Sequence, residues 1–259
     1  MVAGLCDQLH VPHSTLTAQW KRKPQTAIQE RARIERYKLL GEWASRLGLA
    51  AVVTAHHLDD QVETLVMRLN RGAGARGLAG MRAVSAMPGG KSNIALIRPL
   101  LGWRRSALVG ICEAAGLTPV DDPSNREERF ERVRIRNGLG EANWLDVDGI
   151  GRSARNLAEA DAALDWAAEI QWKRQVSHSA TSISYSPAAP MEIRRRVVQR
   201  AVASLATEGR AVPLRGPELD RLVSALSQGQ TTTLRGVLCA GGDIWRFSPA
   251  PRRRTRPQP

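Results

Sequence analysis

The segment that most restricts the fold is the apolar run Leu49–Ala55 (LAAVVTA), which leads with no turn residue into a helical pattern. Two adjacent valines in a short run of this kind fit a buried parallel strand. His56 and His57 end it. From Asp59 to Arg71, Val62, Leu65, Val66 and Leu69 fall at i, i+3, i+4 and i+7, the stripe of an amphipathic helix. Glycines at 72, 74 and 77 stop that helix. A strand that feeds a helix cannot turn back as a tight hairpin, so the next strand is expected to lie parallel. The pattern recurs in a strand over Ile94–Pro99 and a helix over Trp103–Ala115, with Leu108, Ile111, Cys112 and Ala115 on one face and Gly116 as the stop. Upstream, residues 2–10 suggest a helix, His10–Thr17 a short strand, and Ala27–Leu49 a helix carrying Ile28, Ala32, Tyr37, Leu40, Trp43, Ala44 and Leu47. An α/β domain with a parallel sheet is the expectation.

The alternation stops near Leu139. Residues 148–175 and 190–208 read as helices with no strand between them, and Thr232–Phe247 reads as a hairpin turning at Gly241-Gly242. A domain boundary is expected at 140–147, giving domains over 1–140 and 141–250. The tail at 251–259, PAPRRRTRPQP in context, reads as disordered and cationic. With 259 residues, 42% of them hydrophobic, each domain can have its own core. The net charge of +13 suits a polyanionic partner, although a merely basic protein would look the same. No apolar run is long enough to cross a bilayer. Cys6, Cys112 and Cys239 are widely spaced, which argues against a disulfide framework and for a reducing cytoplasm.

Chemistry is concentrated where the first strand ends. In open α/β sheets ligands bind beyond the carboxyl ends of the strands. Asp59, Asp60 and Glu63 follow immediately and could hold Mg²⁺ on a nucleotide or accept a proton. The same Asp60-x-x-Glu63 spacing also suits a helix N-terminus that only caps itself. A zinc site from His56, His57 and Asp60 is disfavoured, because adjacent histidines diverge at a strand end. Arg33 and Arg36, one turn apart, could reach phosphate or simply be solvated. Arg132, Arg134 and Arg136 would project to one side of an extended chain. Asp122 and Asn125, in DDPSN, read as turn residues.

AHHLDDQVET followed by RLNRGAGARGLAGM, Ala55 to Met81, closely resembles the signature of the tRNA(Ile)-lysidine synthetase family, within the N-type ATP pyrophosphatase (PP-loop) superfamily. QERARIERY (29–37), RPLL (98–101), DDPSN (121–125) and RVRIRN (132–137) resemble further segments of it, and the similarity extends along the whole chain. The resemblance implies an adenine nucleotide α-hydrolase-like (Rossmann-like) domain, then a mainly helical tRNA-recognition domain with a C-terminal hairpin. It implies a cytoplasmic ligase that uses ATP and Mg²⁺ to join L-lysine to C2 of wobble cytidine 34 in a tRNA(Ile) with a CAU anticodon. The intermediate is adenylated at the base, and the product, lysidine, reads AUA instead of AUG. Catalytic roles are expected for Asp60 and His56, with Asp60 also the Mg²⁺-linked carboxylate. Cofactor contacts are expected from Asp59, Glu63, Gly72 and Gly74, and tRNA contacts from Arg33, Arg36, Arg132, Arg134 and Arg136. A homodimer is left open. The superfamily's SGGxDS phosphate loop and the strand before it are not found in the sequence. The sheet is therefore expected to be incomplete at its N-terminus, and the chain alone to be crippled. A non-catalytic, basic RNA-binding remnant is the alternative. A related thio-base-forming enzyme is disfavoured by the lack of paired cysteines.

Overall fold

A computed structural model describes residues 2–20, 25–26, 28–88, 94–118, 127–206 and 214–251. The DDPSN turn and the basic tail from residue 252 lie outside the described residues. The chain divides into two compact units: unit 1 is residues 1–70 with 80–154, and unit 2 is residues 71–79 with 155–259.

Unit 1 is built on a three-stranded sheet of order β1-β3-β2, with β1 Ala51–Val53, β2 Val84–Ala86 and β3 Ala95–Ile97. The central pair is parallel, with Ala51, Val52 and Val53 opposite Ala95, Leu96 and Ile97, as a strand followed by a helix requires. β2 pairs antiparallel to β3 and was not legible in sequence. Among the described strands β1 lies at the edge and is only partly covered: Val53 is 63% exposed, where a strand buried on both faces was expected. Helix α1 spans Val2–Gln8, and α2 spans Ile28–Arg46. The core of the unit is Tyr37 and Ala44 from α2 with Met87, Ile94 and Leu96, flanked by Leu40 and Val52. Ile28, Ile34 and Leu47 face solvent, so the buried stripe of α2 is narrower than its sequence suggests.

The strand expected over His10–Thr17 does not form. His10 takes a positive φ of 53°, and residues 11–20 form neither helix nor strand. Pro12 removes a ladder donor, and no described strand lies beside this segment to supply partners. The arginine-alternating stretch is also not extended. It lies within α6, Glu131–Glu141, where residues four apart share a face and residues two apart do not.

Unit 2 contains the short helix α4 (Ala75–Leu78), most of α7 (Val147–Gln175), α8 (Met191–Leu205) and α9 (Gly216–Ser227). Two strands, β4 Val176–His178 and β5 Ile183–Tyr185, intervene between α7 and α8, where none was expected. They are short, and their only signal is the alternation of buried Ile183 and Tyr185. The C-terminal hairpin is present as β7 (Val237–Ala240) and β8 (Trp245–Pro249), within a five-stranded antiparallel sheet of order β4-β5-β8-β7-β6. A second turn joins β6 (Thr231–Leu234) to β7. Arg235 and Gly236 there have φ of 54° and 79°, the two left-handed positions of a type I′ hairpin.

One face of this sheet and one face each of α8 and α9 close the larger core. Trp245, Tyr185, Phe247, Cys239 and Val237 meet Val197, Val198, Ala201, Val202, Leu222, Val223 and Leu226. Each such side chain contributes roughly 1.5–3 kcal/mol on burial. Tyr185 and Trp245 meet edge-on at 5.8 Å. Burial pushes the Cys239 thiol up to about 12, so it is an inert packing residue. Among the described residues no helix is long and apolar enough to cross a membrane.

Candidate active site

The carboxyl end of β1 passes through Thr54 and His56 into α3, Leu58–Leu69. Leu58, Gln61, Val62, Glu63 and Thr64 are buried, whereas of the expected apolar stripe only Val62 is buried, Leu65 and Val66 are half-buried and Leu69 is exposed. Its N-terminus is fixed by a capping box. His57, at the N-cap, accepts from Asp60 N at 3.3 Å, and Asp60 Oδ2 accepts from His57 N at 3.1 Å. Such a cap contributes about 1 kcal/mol. The helix therefore begins after His56, and His56 and Asp60 are brought together by the turn and not by a shared helical face. The capping reading of the motif holds for Asp60, with His57 and not Glu63 as its counterpart. Asp60 Oδ1 makes no hydrogen bond to the described residues.

Asp59 points the other way, toward α5 (Arg105–Ala114). Its Oδ2 accepts from Arg105 N at 2.7 Å, and Arg104 Nη2 lies 3.4 Å from Oδ1. Burial works against the Asp59 carboxylate, but the Arg105 N–H and the Arg104 guanidinium outweigh it and hold the carboxyl below its ordinary range. Glu63 is 2% exposed and faces α6. Arg136 Nε donates to its Oε1 at 2.6 Å and Arg136 Nη2 to its Oε2 at 3.3 Å. Arg132 Nε lies 3.3 Å from Oε2, an ion pair by distance although this N–H makes no hydrogen bond. Arg132 Nη2 also donates to Thr64 Oγ1 at 3.1 Å. The single stripe expected of Arg132, Arg134 and Arg136 is thus divided: two clasp α3, and Arg134 is exposed and donates to Glu128 O at 2.8 Å.

His56 is the centre of the remaining arrangement. Its Nδ1 lies 2.9 Å from Thr54 Oγ1. Burial lowers its pKa; Asp60 opposes this, while the guanidinium groups of Arg33, Arg98 and Arg132 push it further down. These three arginines give this rim a positive field, so an anion is favoured there and an imidazolium is not. Arg98 was not singled out in the sequence as a site residue. It stands one residue past β3, at the carboxyl edge next to that of β1, and is 6% exposed. Its Nη1 donates to Arg82 O at 2.8 Å and to Ser85 Oγ at 3.2 Å, and its Nε has no partner among the described residues. The usable signal was an arginine ending an apolar run. Arg33 is exposed and lies over the Tyr37 ring at 5.0 Å. Arg36 is directed elsewhere, into a cavity of about 480 Å³ lined by Ser14, Leu16, Trp20 and Trp43. Gly72 (φ 66°) and Gly74, at the N-cap of α4, have open space around them and are part of unit 2.

Because its folded pKa is depressed below 6.5, a neutral His56 stabilises the fold above that pH. The stabilisation is lost as pH falls through 6.5 toward the folded value, since the unfolded chain then binds the proton first. His56→Gln is therefore expected to flatten the fall in melting temperature as the pH drops below about 6.5, compared with the native chain. An NMR titration of the His56 ring with a midpoint at or above 6.5 would contradict this.

Carboxylate-bearing α3, starting at the rim where two parallel strands end and ringed by arginines, defines a nucleotide-binding α/β class, and residues 1–143 match the family described as PP-loop domain. Within that class the chain belongs to the tRNA(Ile)-lysidine synthase family. The tRNA(Ile)-lysidine synthase of Novosphingobium aromaticivorans is 49% identical over 262 residues, covering 100% of this chain and 78% of that protein. The tRNA(Ile)-lysidine synthase of Zymomonas mobilis is 37% identical over 98% of this chain and 76% of its own length. Among solved structures, the U34-tRNA thiolase NcsA of Methanococcus maripaludis aligns at 15% identity and a TM-score of 0.48, over 61% of this chain and 55% of that one.

Proposed function

We propose that the α3 rim joins L-lysine to C2 of the wobble cytidine in a CAU-anticodon tRNA(Ile), at the expense of ATP. The observation that carries this reading is 49% identity along the whole chain to a tRNA(Ile)-lysidine synthase. The reaction has two steps. The C2 carbonyl oxygen of the cytidine attacks the α-phosphate of ATP and pyrophosphate leaves. The free amine of lysine then attacks C2, the C2–O bond breaks, and AMP departs. The first step gathers negative charge on the leaving group, and Arg98, Arg33 and Arg132, whose charges act on His56, are the groups proposed to meet it. The second needs a lysine amine without its extra proton. His56, held neutral, and Asp60 are the proposed acceptors.

Mg²⁺, when bound with ATP, neutralises charge on the departing pyrophosphate. The donor set fits a cation carried in on the nucleotide and not one held by protein alone. Asp60 Oδ1 is the available oxygen, Asp59 is engaged by Arg104 and Arg105, and no cluster of three ligating side chains occurs among the described residues. Arg33, Arg36 and Arg134, all exposed, are the proposed contacts for tRNA phosphates, and unit 2 is the proposed tRNA-recognition unit. Gly72 and Gly74 leave room for a phosphate to approach the backbone. The cytoplasm is the proposed location of the reaction.

The test is incubation with radiolabelled lysine, ATP, Mg²⁺ and CAU-anticodon tRNA(Ile). Incorporation that requires ATP and is abolished by replacing cytidine 34 with uridine is the expected result. Tight tRNA binding with no incorporation, both by this chain and by a version supplied with the SGGxDS loop that its sequence lacks, would overturn the proposal.

A further inference from the structure

Unit 2 has a cavity that the proposed reaction leaves unused. It measures about 440 Å³ and is lined from α4, α7 and α8 by Arg76, Asp165, Glu169, Trp172, Gln199 and Arg200. All six are residues of unit 2, so the cavity is formed within one unit. On α7, Asp165, Glu169 and Trp172 fall at i, i+4 and i+7, the spacing of one helix face. The volume falls within the about 300–1,000 Å³ typical of small-ligand sites.

Its polar groups are held in place by the protein itself. Buried Arg196 donates to Asp165 Oδ1 at 2.7 Å and to Asp161 Oδ1 at 2.6 Å, and Arg76 pairs with the same Asp165 oxygen. Asp165 Oδ2 makes no hydrogen bond to the described residues, and neither does the Gln199 side chain. Arg200 pairs with Glu169, and its guanidinium lies over the Trp172 ring at 4.2 Å. Trp172 is largely buried, and its ring meets that of His178 at 5.4 Å. The Arg200 side chain, by contrast, is 45% exposed, so a second planar group can still reach it.

A guanidinium plane backed by an aromatic ring is a platform for a nucleobase. Beside it stands a carboxylate, which only accepts hydrogen bonds. This pairing discriminates among bases. Guanine presents two adjacent donors, N1–H and the 2-amino group, to a carboxylate, and leaves O6 and N7 for arginine. Adenine and cytosine present a lone-pair nitrogen where guanine has N1–H, and a carboxylate repels it. Uracil has a single N3–H between two carbonyl oxygens, which a carboxylate also repels. With a net charge of +13, a base carried on a polynucleotide gains more from phosphate attraction than the same base on a free nucleotide.

We propose that this cavity is a tRNA subsite for one unpaired guanosine, its base stacked on Arg200 and its N1–H and 2-amino edge held by Asp165. This deepens the reading of unit 2 as the tRNA-recognition unit and rests on it.

Kethoxal, which adds across guanine N1 and the 2-amino group, tests it on CAU-anticodon tRNA(Ile) saturated with the native chain, Arg200→Lys or Asp165→Asn. In the native complex one single-stranded guanosine should be protected about tenfold. Arg200→Lys keeps the charge and loses the plane. Asp165→Asn keeps an oxygen for Arg196 and turns a donor toward guanine. Each should lose most of the protection, with a melting temperature within about 3 °C of the native value. In a parallel titration, GMP should shift the Trp172 indole N–H resonance at about tenfold lower concentration than AMP, and Asp165→Asn should abolish that preference. No protected guanosine, protection that both variants retain, or equal responses to GMP and AMP would each overturn the proposal. GMP binding without a protected guanosine would also overturn it, in favour of a free guanine nucleotide. Lysine incorporation enters none of these readouts, so the subsite and the ligation reaction fail independently.

Discussion

Asp60→Asn should lower lysine incorporation by at least about 100-fold, about 2.7 kcal/mol at the transition state, while leaving the melting temperature within about 2 °C of the native value. The two halves of this expectation come from different oxygens of one side chain. Oδ2 closes the capping box with His57 N, and the amide oxygen of asparagine can accept that same bond, so the helix start is preserved. Oδ1, which makes no hydrogen bond to the described residues, is the oxygen offered to a proton or to a nucleotide-borne cation, and an amide serves neither. The charge lost in Asp60→Asn is also the one that opposes the lowering of the His56 pKa, so the His56 midpoint should drop further. Incorporation kinetics, calorimetry and the ring titration, run on one preparation, separate the outcomes. Near-native incorporation would remove Asp60 from the reacting set. A large fall in melting temperature would show that the residue serves the fold and not the chemistry.

What the sequence displayed most clearly was α3 and the strand before it. Their signals are local: an apolar run, a cap, and a stripe at helical spacing. All of them can be read within Leu49–Arg71. The same local reading went wrong at Arg132–Asn137. R-V-R-I-R alternates in polarity, which suits a strand, and only Val133 is deeply buried in the helix that forms instead. The deciding partner is Glu63, far away in sequence, which arginines four apart on a helix can both reach and arginines two apart on a strand could not share. His10–Thr17 failed for the converse reason, since a plausible strand needs a neighbour and no described strand lies beside this segment. β4 and β5 are three residues each, too short for periodicity to register. At the site, the sequence pointed to the acidic residues of α3 but not to the different partners the structure gives them. Asp59 is held by α5, Glu63 by α6, and Asp60 by its own helix N-terminus. Arg98 escaped notice because an arginine closing a strand resembles any solvated end until its burial is known.

Glu63→Ala should destabilise unit 1 by about 2–3 kcal/mol, and Glu63→Gln by roughly half as much. Removing one member of a buried ion pair typically costs about 3–5 kcal/mol, because the partner's charge is left unpaired. Here the carboxylate is almost fully enclosed, at 3% side-chain exposure, but Arg132 and Arg136 are 35% and 32% exposed and can turn partly to solvent, which reduces the penalty. Glutamine keeps one acceptor for Arg136 Nε and loses the charge that raises the Arg136 pKa through its direct hydrogen bond. With α6 loosened from α3, Arg132 would no longer be held near His56, so nucleotide affinity should fall only as far as the fold is perturbed. The control is Arg136→Ala in both backgrounds. If the clasp is the whole role of Glu63, the double variant should be no less stable than Glu63→Ala alone, giving a coupling energy of about 1–2 kcal/mol. A native-like melting temperature for Glu63→Ala, together with lost ATP binding, would reverse the assignment and make the buried carboxylate a ligand and not a clasp.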